Sequence, residues 1–308
     1  MTGASYEKAF LVGVGDKVVV RAATYPPWME RTNPRVRTIP TIRNSHDPNM
    51  EALLKQKIDV LFFWDHPILL DRLKGIGIAA VVPQPAARDF ASIREFTGRM
   101  KSEVLLYGRV FGGEAEKRAR AWCAYYDQKV KYVLERTSTV PEARKPRVYY
   151  VRGPDALTTH GRDQNITWYG MMAGAEMVVR NTRAKNISQI SMEDIIRWNP
   201  EVIFVGRQYS PDLVLKNHKW KYVSAVRNKR VYVIPDGVFY WDGGSEGILL
   251  LEYLAWKLYP KMFRDLNMQR EVTEYYEKFY NCRLTDDEIE KLLHGLDPEG
   301  RRSNRMNN

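Results

Sequence analysis

Six short apolar runs, at residues 17–21, 58–63, 78–82, 147–151, 202–205 and 230–234, alternate with amphipathic stretches of helical period. That alternation predicts α/β layers built around parallel sheets. Between the third and fourth runs lies the longest helical reading, residues 114–137, where Ala119, Trp122, Tyr126, Val130 and Val133 recur at three- and four-residue steps and make one apolar stripe. At 1.5 Å per residue this helix would be about 36 Å long, enough to cross the side of a domain. An ordinary core-facing helix and a rigid connector between lobes both suit this pattern, and its place between two strand-bearing halves favours the connector. The chain is therefore expected to hold one α/β lobe at 1–112, a helix and linker at 113–144, a second α/β lobe at 145–296 and a flexible basic tail at 297–308.

An internal repeat supports a pair of similarly built lobes. Residues 49–63 align without gaps to residues 191–205: each stretch offers a cap residue (Asn49, Ser191), an acid two positions on (Glu51, Glu193), a short helix, and an apolar strand preceded by an acid. This is a pseudo-symmetric pair rather than a solenoid.

Composition removes several classes. The 308 residues include 44% hydrophobic residues, which suits a chain that buries a core. A net charge of +11 attracts nucleic acid, anionic lipid or an acidic small molecule, and does not choose among them. Two cysteines, Cys123 and Cys282, have no metal-type spacing; one isolated disulfide stays open. No segment approaches about 18 uninterrupted apolar residues, and residues 1–10 lack a signal-peptide pattern, although the chain enters so abruptly that a preceding strand or signal is expected to be missing. No phosphate loop, GxSxG, HExxH or sequence-local histidine pair occurs.

Ligands of open parallel sheets bind outside the carboxyl ends of strands, so the strand exits are where a site is sought. The exits carry Tyr25, Trp64 with Asp65 and His66, Arg152, Arg207, and the cluster Phe239, Tyr240 and Trp241. Arg152 and Arg207 each end a second-lobe strand, where a guanidinium can grip carboxylate, phosphate or catecholate oxygens, with Tyr240 or Trp241 as an apolar wall. His66 and His160, one from each lobe, are the candidate metal contacts, since imidazole suits nickel, iron or copper. A solvated arginine or a hydrogen-bonded histidine is the plainer reading of each residue alone.

The order of Gly13-Val-Gly-Asp-Lys17, Tyr25-Pro-Pro27, Pro48-Asn-Met-Glu-Ala-Leu53 with Ile58-Asp-Val-Leu61, the long central helix, Ile190-Ser-Met-Glu-Asp194 with Asn199-Pro-Glu-Val-Ile203, and Val231-Tyr-Val-Ile-Pro-Asp236 resembles the periplasmic binding proteins that deliver ferric siderophores, haem, cobalamin or related metal chelates to ABC importers. The resemblance covers nearly the whole chain, and its order and spacing are more specific than any one motif. It implies a class III receptor of two Rossmann-like lobes joined by one long α-helix, with little hinge motion, no chemistry and no intrinsic cofactor. It also implies an extracytoplasmic monomer that meets the membrane only through an ABC permease and ATPase. In the enterochelin-type branch the resemblance makes Arg152, Arg207 and Tyr240 cleft groups for an anionic chelate, His160 an added contact, and Glu51 and Glu193 acids that meet permease arginines. A ferric siderophore is the expected ligand and a nickel chelate the next. A two-lobed metal-handling enzyme of chelatase or nitrogenase-like type is the competing reading, and nucleic-acid binding is disfavoured because the aromatics sit at strands and helix cores.

Overall fold

The computed structural model describes residues 3–23, 26–42, 44, 47–63, 65–83 and 90–302. Ten strands are present among them: β1 (Arg21–Ala22), β2 (Thr41–Ile42), β3 (Val60–Phe62), β4 (Ala79–Val81), β5 (Arg147–Val151), β6 (Thr158–His160), β7 (Glu176–Met177), β8 (Ile187–Gln189), β9 (Val202–Val205) and β10 (Val231–Val233). In the second lobe β10, β9, β5 and β7 lie side by side as one parallel sheet, with Tyr149 opposite Ile203 and Phe204 opposite Tyr232. The first lobe pairs β1 with β2 and β3 with β4, both parallel. Val20, Ile42, Leu61 and Phe63 close over Leu53, Leu69 and Leu73 to make that lobe's own apolar layer.

Five of the six apolar runs coincide with strands. The exception is 17–21, where Gly15–Lys17 forms a 3-10 turn and the strand starts only at Arg21. Pattern reading also missed the antiparallel pair β6 and β8, because β6 is a run of polar residues, Thr158, Thr159 and His160, of which the last two are buried and Thr158 and Thr159 are held by hydrogen bonds rather than by apolar character.

The long helix spans Gly113–Thr137 and buries all five residues of its apolar stripe. It packs antiparallel against the helix Ile93–Phe111. A side chain at Gly108 would place its Cβ 2.7 Å from the Ala119 Cβ, so glycine sets how closely the two helices approach. Trp122 donates from Nε1 to the Tyr275 hydroxyl (3.0 Å), and Lys129 pairs with Glu271, which fastens the connector to the helix Met268–Tyr280.

That C-terminal helix and the segment after it also reach the first lobe and the connector. Arg118 donates to the Phe279 carbonyl, the Tyr280 hydroxyl donates to Glu7 Oε1 (2.8 Å), Trp28 Nε1 donates to the Leu296 carbonyl (3.0 Å), and Arg31 pairs with Glu288. The chain thus returns from the second lobe to seal against the first, and one core runs from Tyr6 and Phe62 through Trp122 to Val148, Leu254 and Phe279. Beyond Leu296, Arg301 folds back onto Asp297 through its backbone N–H (2.7 Å) and its Nε (3.0 Å). Cys123 and Cys282 are both free thiols. No helix among the described residues is long and apolar enough to cross a membrane.

Candidate ligand site at the strand exits of the second lobe

β5 ends at Val151 and β9 at Val205, adjacent strands whose next residues are Arg152 and Gly206 with Arg207. Gly206 must be glycine, since a Cβ there would lie 2.3 Å from the Tyr150 hydroxyl oxygen. Arg207 and Gln208 then take left-handed backbone angles (φ 59° and 66°), a conformation that non-glycine residues adopt only where the surroundings impose it. The reversal carries the Arg207 guanidinium to 4.4 Å from the centre of the Tyr240 ring.

Asp242 holds the cluster together. Its carboxylate accepts from the Tyr150 hydroxyl (2.5 Å) and from Arg207 Nε, which sits 2.6 Å from one oxygen and 2.9 Å from the other. Full burial pushes the Asp242 carboxyl up, but Arg207, then His160, more than offset this and hold it below the ordinary carboxylate value. Burial, then Asp242, drives the Tyr150 phenol well above its ordinary range, so it stays a donor. Arg152 donates from Nε to His160 Nε2 (2.9 Å), which puts the imidazole proton on Nδ1, facing Asp242 Oδ2 at 3.6 Å. Burial drops His160 to about 3, so the ring is neutral at ordinary pH.

Both arginines therefore make their side-chain hydrogen bonds through Nε. Among the described residues, their terminal guanidinium nitrogens make no hydrogen bond. Two pre-positioned forks, partly shielded from water, are suited to receive oxyanion or carboxylate oxygens.

The loop 236–246 that carries Tyr240 and Asp242 is anchored by Glu246, which accepts from the Phe239 backbone N–H (2.8 Å) and the Tyr276 hydroxyl (2.6 Å). Burial pushes this carboxyl up to about 8. With its folded value above its unfolded one, the native state keeps a proton that the unfolded chain has lost, so stability falls as pH rises from about 4.5 toward 8 and then levels. Glu252, also raised to about 8 by burial and Glu271 against Lys129, acts in the same direction. Glu246→Gln keeps the anchor geometry and is expected to flatten the melting-temperature profile over roughly that range; a calorimetric profile parallel to the parent's would show that Glu246 ionises normally.

The sequence-derived candidates separate. Arg152, Arg207, Tyr240 and His160 converge at the strand exits. Trp241, expected as a wall for ligand, is instead buried in the core with its ring edge-on to Tyr253, because the loop alternates and presents Tyr240 and Asp242 on the other side. His66 is exposed and caps the helix Pro67–Gly75, its Nδ1 accepting from the Leu69 N–H (3.4 Å), so only Nε2 is left to meet a metal. His160 already spends its lone pair on Arg152. No group of three or more His, Cys, Asp or Glu able to hold a metal occurs among the described residues. Tyr25 and Trp64 lie outside the described residues. Asp242 and Tyr150 were missed; Asp242 was legible as the residue following the flagged aromatic cluster, whereas Tyr150 sits inside an apolar run.

Glu51 and Glu193 each lie in the first turn of a short helix leading into a strand, Met50–Lys55 before β3 and Met192–Trp198 before β9. Asn49 and Ser191 cap those helices by accepting from the Ala52 and Asp194 N–H groups. Both acids are exposed, and Glu51 pairs with Lys55 (2.8 Å).

Residues 1–238 match the family described as Periplasmic binding protein. The chain belongs to that family. It is similar to the molybdate-binding protein MolA of Haemophilus influenzae, 27% identical over 278 residues that cover 82% of this chain and 77% of MolA. It is also similar to the ABC transporter substrate-binding lipoprotein YvrC of Bacillus subtilis, at 25% identity with 84% and 78% covered. The fold superposes on molybdate-bound MolA with a TM-score of 0.79 at 22% identity, covering 92% and 93% of the two chains, and on Ni(II)-bound CeuE of Helicobacter pylori with 0.73 at 19%, covering 95% and 93%. A periplasmic binding protein of this kind is the substrate-binding component of an ABC transporter and not an enzyme, which disposes of the chelatase-like alternative.

Proposed function

We propose that this chain captures a small anionic metal species in the cleft beneath the strand exits of the second lobe and hands it, outside the cytoplasm, to an ABC permease. The observation that carries this reading is the pair of guanidinium groups, Arg152 and Arg207, each steadied through Nε with its terminal donors unengaged among the described residues. With Asp242 ionised and His160 neutral the cluster carries one net positive charge, which favours an anion over a bare cation. Molybdate, the ligand named for MolA, fits two arginine forks without needing a protein ligand to the metal. A compact anionic chelate, ferric siderophore or nickel complex, would use the same donors through its carboxylate or catecholate oxygens, with Tyr240 against its apolar part; the nickel-bound CeuE structure favours keeping this second reading. Glu51 and Glu193 serve as permease-facing acids, one per lobe. The protein acts as a monomer and needs no intrinsic cofactor.

Isothermal titration with molybdate, tungstate, sulfate, ferric catecholate, nickel–histidine and haem tests the ligand class. Molybdate and tungstate are expected to bind far more tightly than sulfate. Binding of nickel–histidine or ferric catecholate with none of the oxyanions would move the assignment to chelates, and binding of none of the metal species would remove it.

A further inference from the structure

Ser245 and Glu246 close the loop that carries Tyr240 and Asp242, and both are buried. Ser245 Oγ donates to Oε1 of Glu7, 238 residues away in the helix Gly3–Leu11, and accepts from the Tyr275 hydroxyl (3.0 Å). The Tyr280 hydroxyl donates to the same Glu7 oxygen (2.8 Å). At its other end the loop presses on Glu246 and Tyr276, which a side chain on Gly237 would strike. Both ends of the loop thus rest on helices outside the four-stranded sheet whose strand exits it serves.

Glu7 is fully buried. Its second oxygen makes no hydrogen bond among the described residues and faces Lys8 Nζ at 3.7 Å, and that ammonium lies 3.6 Å from Glu103 in the helix Ile93–Phe111. Buried ion pairs return little net stability, because desolvation offsets their attraction; what they can supply is a single geometry. An apolar side chain would fill position 7 equally well. It would not give Ser245 and Tyr280 an acceptor.

We propose that Glu7 is a positioning residue of the ligand site: by accepting from Ser245 it fixes the turn that brings Tyr240 and Asp242 to Arg207. The Gly243 and Gly244 N–H groups both donate to the Tyr240 carbonyl (2.9 Å each), so the turn between Tyr240 and Ser245 is a tight unit that moves with Ser245. The seating of the helix Gly3–Leu11 then sets ligand affinity, and ligand binding biases that helix by the same factor. The opposing account is that Asp242, through Arg207 and Tyr150, sets the loop unaided and Glu7 only fills its place. The proposal rests on the ligand-site reading above, which supplies Tyr240 and Asp242 as site groups.

The test compares Glu7→Met, Glu7→Gln and Ser245→Ala in the full chain, by hydrogen exchange with mass spectrometry in the absence of ligand and by calorimetric titration with molybdate. Met matches Glu in length and helix propensity but offers no oxygen acceptor, whereas Gln keeps one. In Glu7→Met and Ser245→Ala the amides of 237–246 are expected to exchange about tenfold faster, with those of β5 and β9 unchanged, and molybdate affinity to fall about tenfold. Glu7→Gln is expected to match the parent in both. Should Glu7→Met fail to fold, Ser245→Ala decides alone, since it leaves the bond from Tyr280 to Glu7 in place. Parent-like exchange in the loop, or a loosened loop with parent-like molybdate affinity, would overturn the proposal. A parent that binds no molybdate would strike the oxyanion reading instead, and the exchange comparison would then decide this one.

Discussion

Replacing Arg152 and Arg207 by Ala, with Asp242→Asn in the same chain, is expected to weaken ligand binding by about 10²–10⁴-fold while the protein stays folded. Hydrogen bonds to a charged group are worth about 1.5–3 kcal/mol each, so losing one such bond from each arginine removes about 3–6 kcal/mol. The third substitution is needed because Arg207 is the cation that offsets the burial of Asp242. Arg207→Ala alone would strand that carboxylate, at a cost of about 3–5 kcal/mol, and lost binding would then merely report lost structure. Asn at 242 can still accept from the Tyr150 hydroxyl and needs no cation. Arg152→Ala leaves the His160 Nε2 lone pair without its donor, a smaller cost of about 1–3 kcal/mol. Calorimetric titration with whichever metal species the parent binds, alongside a thermal melt, reads both effects. Undiminished affinity in a folded triple variant would take the arginines out of the site.

The architecture was legible because it is written in burial, which leaves a periodic trace. The five-residue stripe of the connector and the runs at 147–151 and 202–205 are apolar because they are enclosed, and they fold as read. The repeat told more than any motif, since its helix cap, first-turn acid and buried strand reappear in both lobes. What failed were elements whose burial is polar. β6 is held by Thr158 and Thr159 hydroxyls bonded to Asp155 and to the Tyr150 carbonyl, partners that no hydropathy window sees. The return of Met268–Tyr280 to the first lobe depends on long-range contacts such as Tyr280 with Glu7, which local patterning does not encode. At the site, strand-end position found the arginines, but the groups that aim them were invisible. Trp241 and Asp242 are neighbours, and only the path of the loop decides that the acid faces the arginine while the indole faces the core.

Reversing both acids proposed to face the permease, Glu51→Lys with Glu193→Lys, is expected to abolish ligand-dependent stimulation of the importer's ATPase while leaving ligand affinity unchanged. The competing account is that each acid only complements the positive end of its helix, worth about 0.3–1 kcal/mol. The structure limits that contribution further. Glu51 is 75% exposed and its ion pair with Lys55 is of the kind that contributes little, while the second helix keeps Asp194 in the same turn, capped by Ser191. Local stabilisation thus predicts a shift of a few degrees in melting temperature and normal transport. Docking predicts the reverse, because a like charge would then face the permease cation at each of two points, and such juxtaposition costs several kcal/mol across an interface. Transport by purified receptor variants with the reconstituted importer separates the accounts. Full transport by the double variant would leave Glu51 and Glu193 as helix starts and nothing more; loss of ligand binding would instead place both acids inside the cleft and turn the faces of both lobes around.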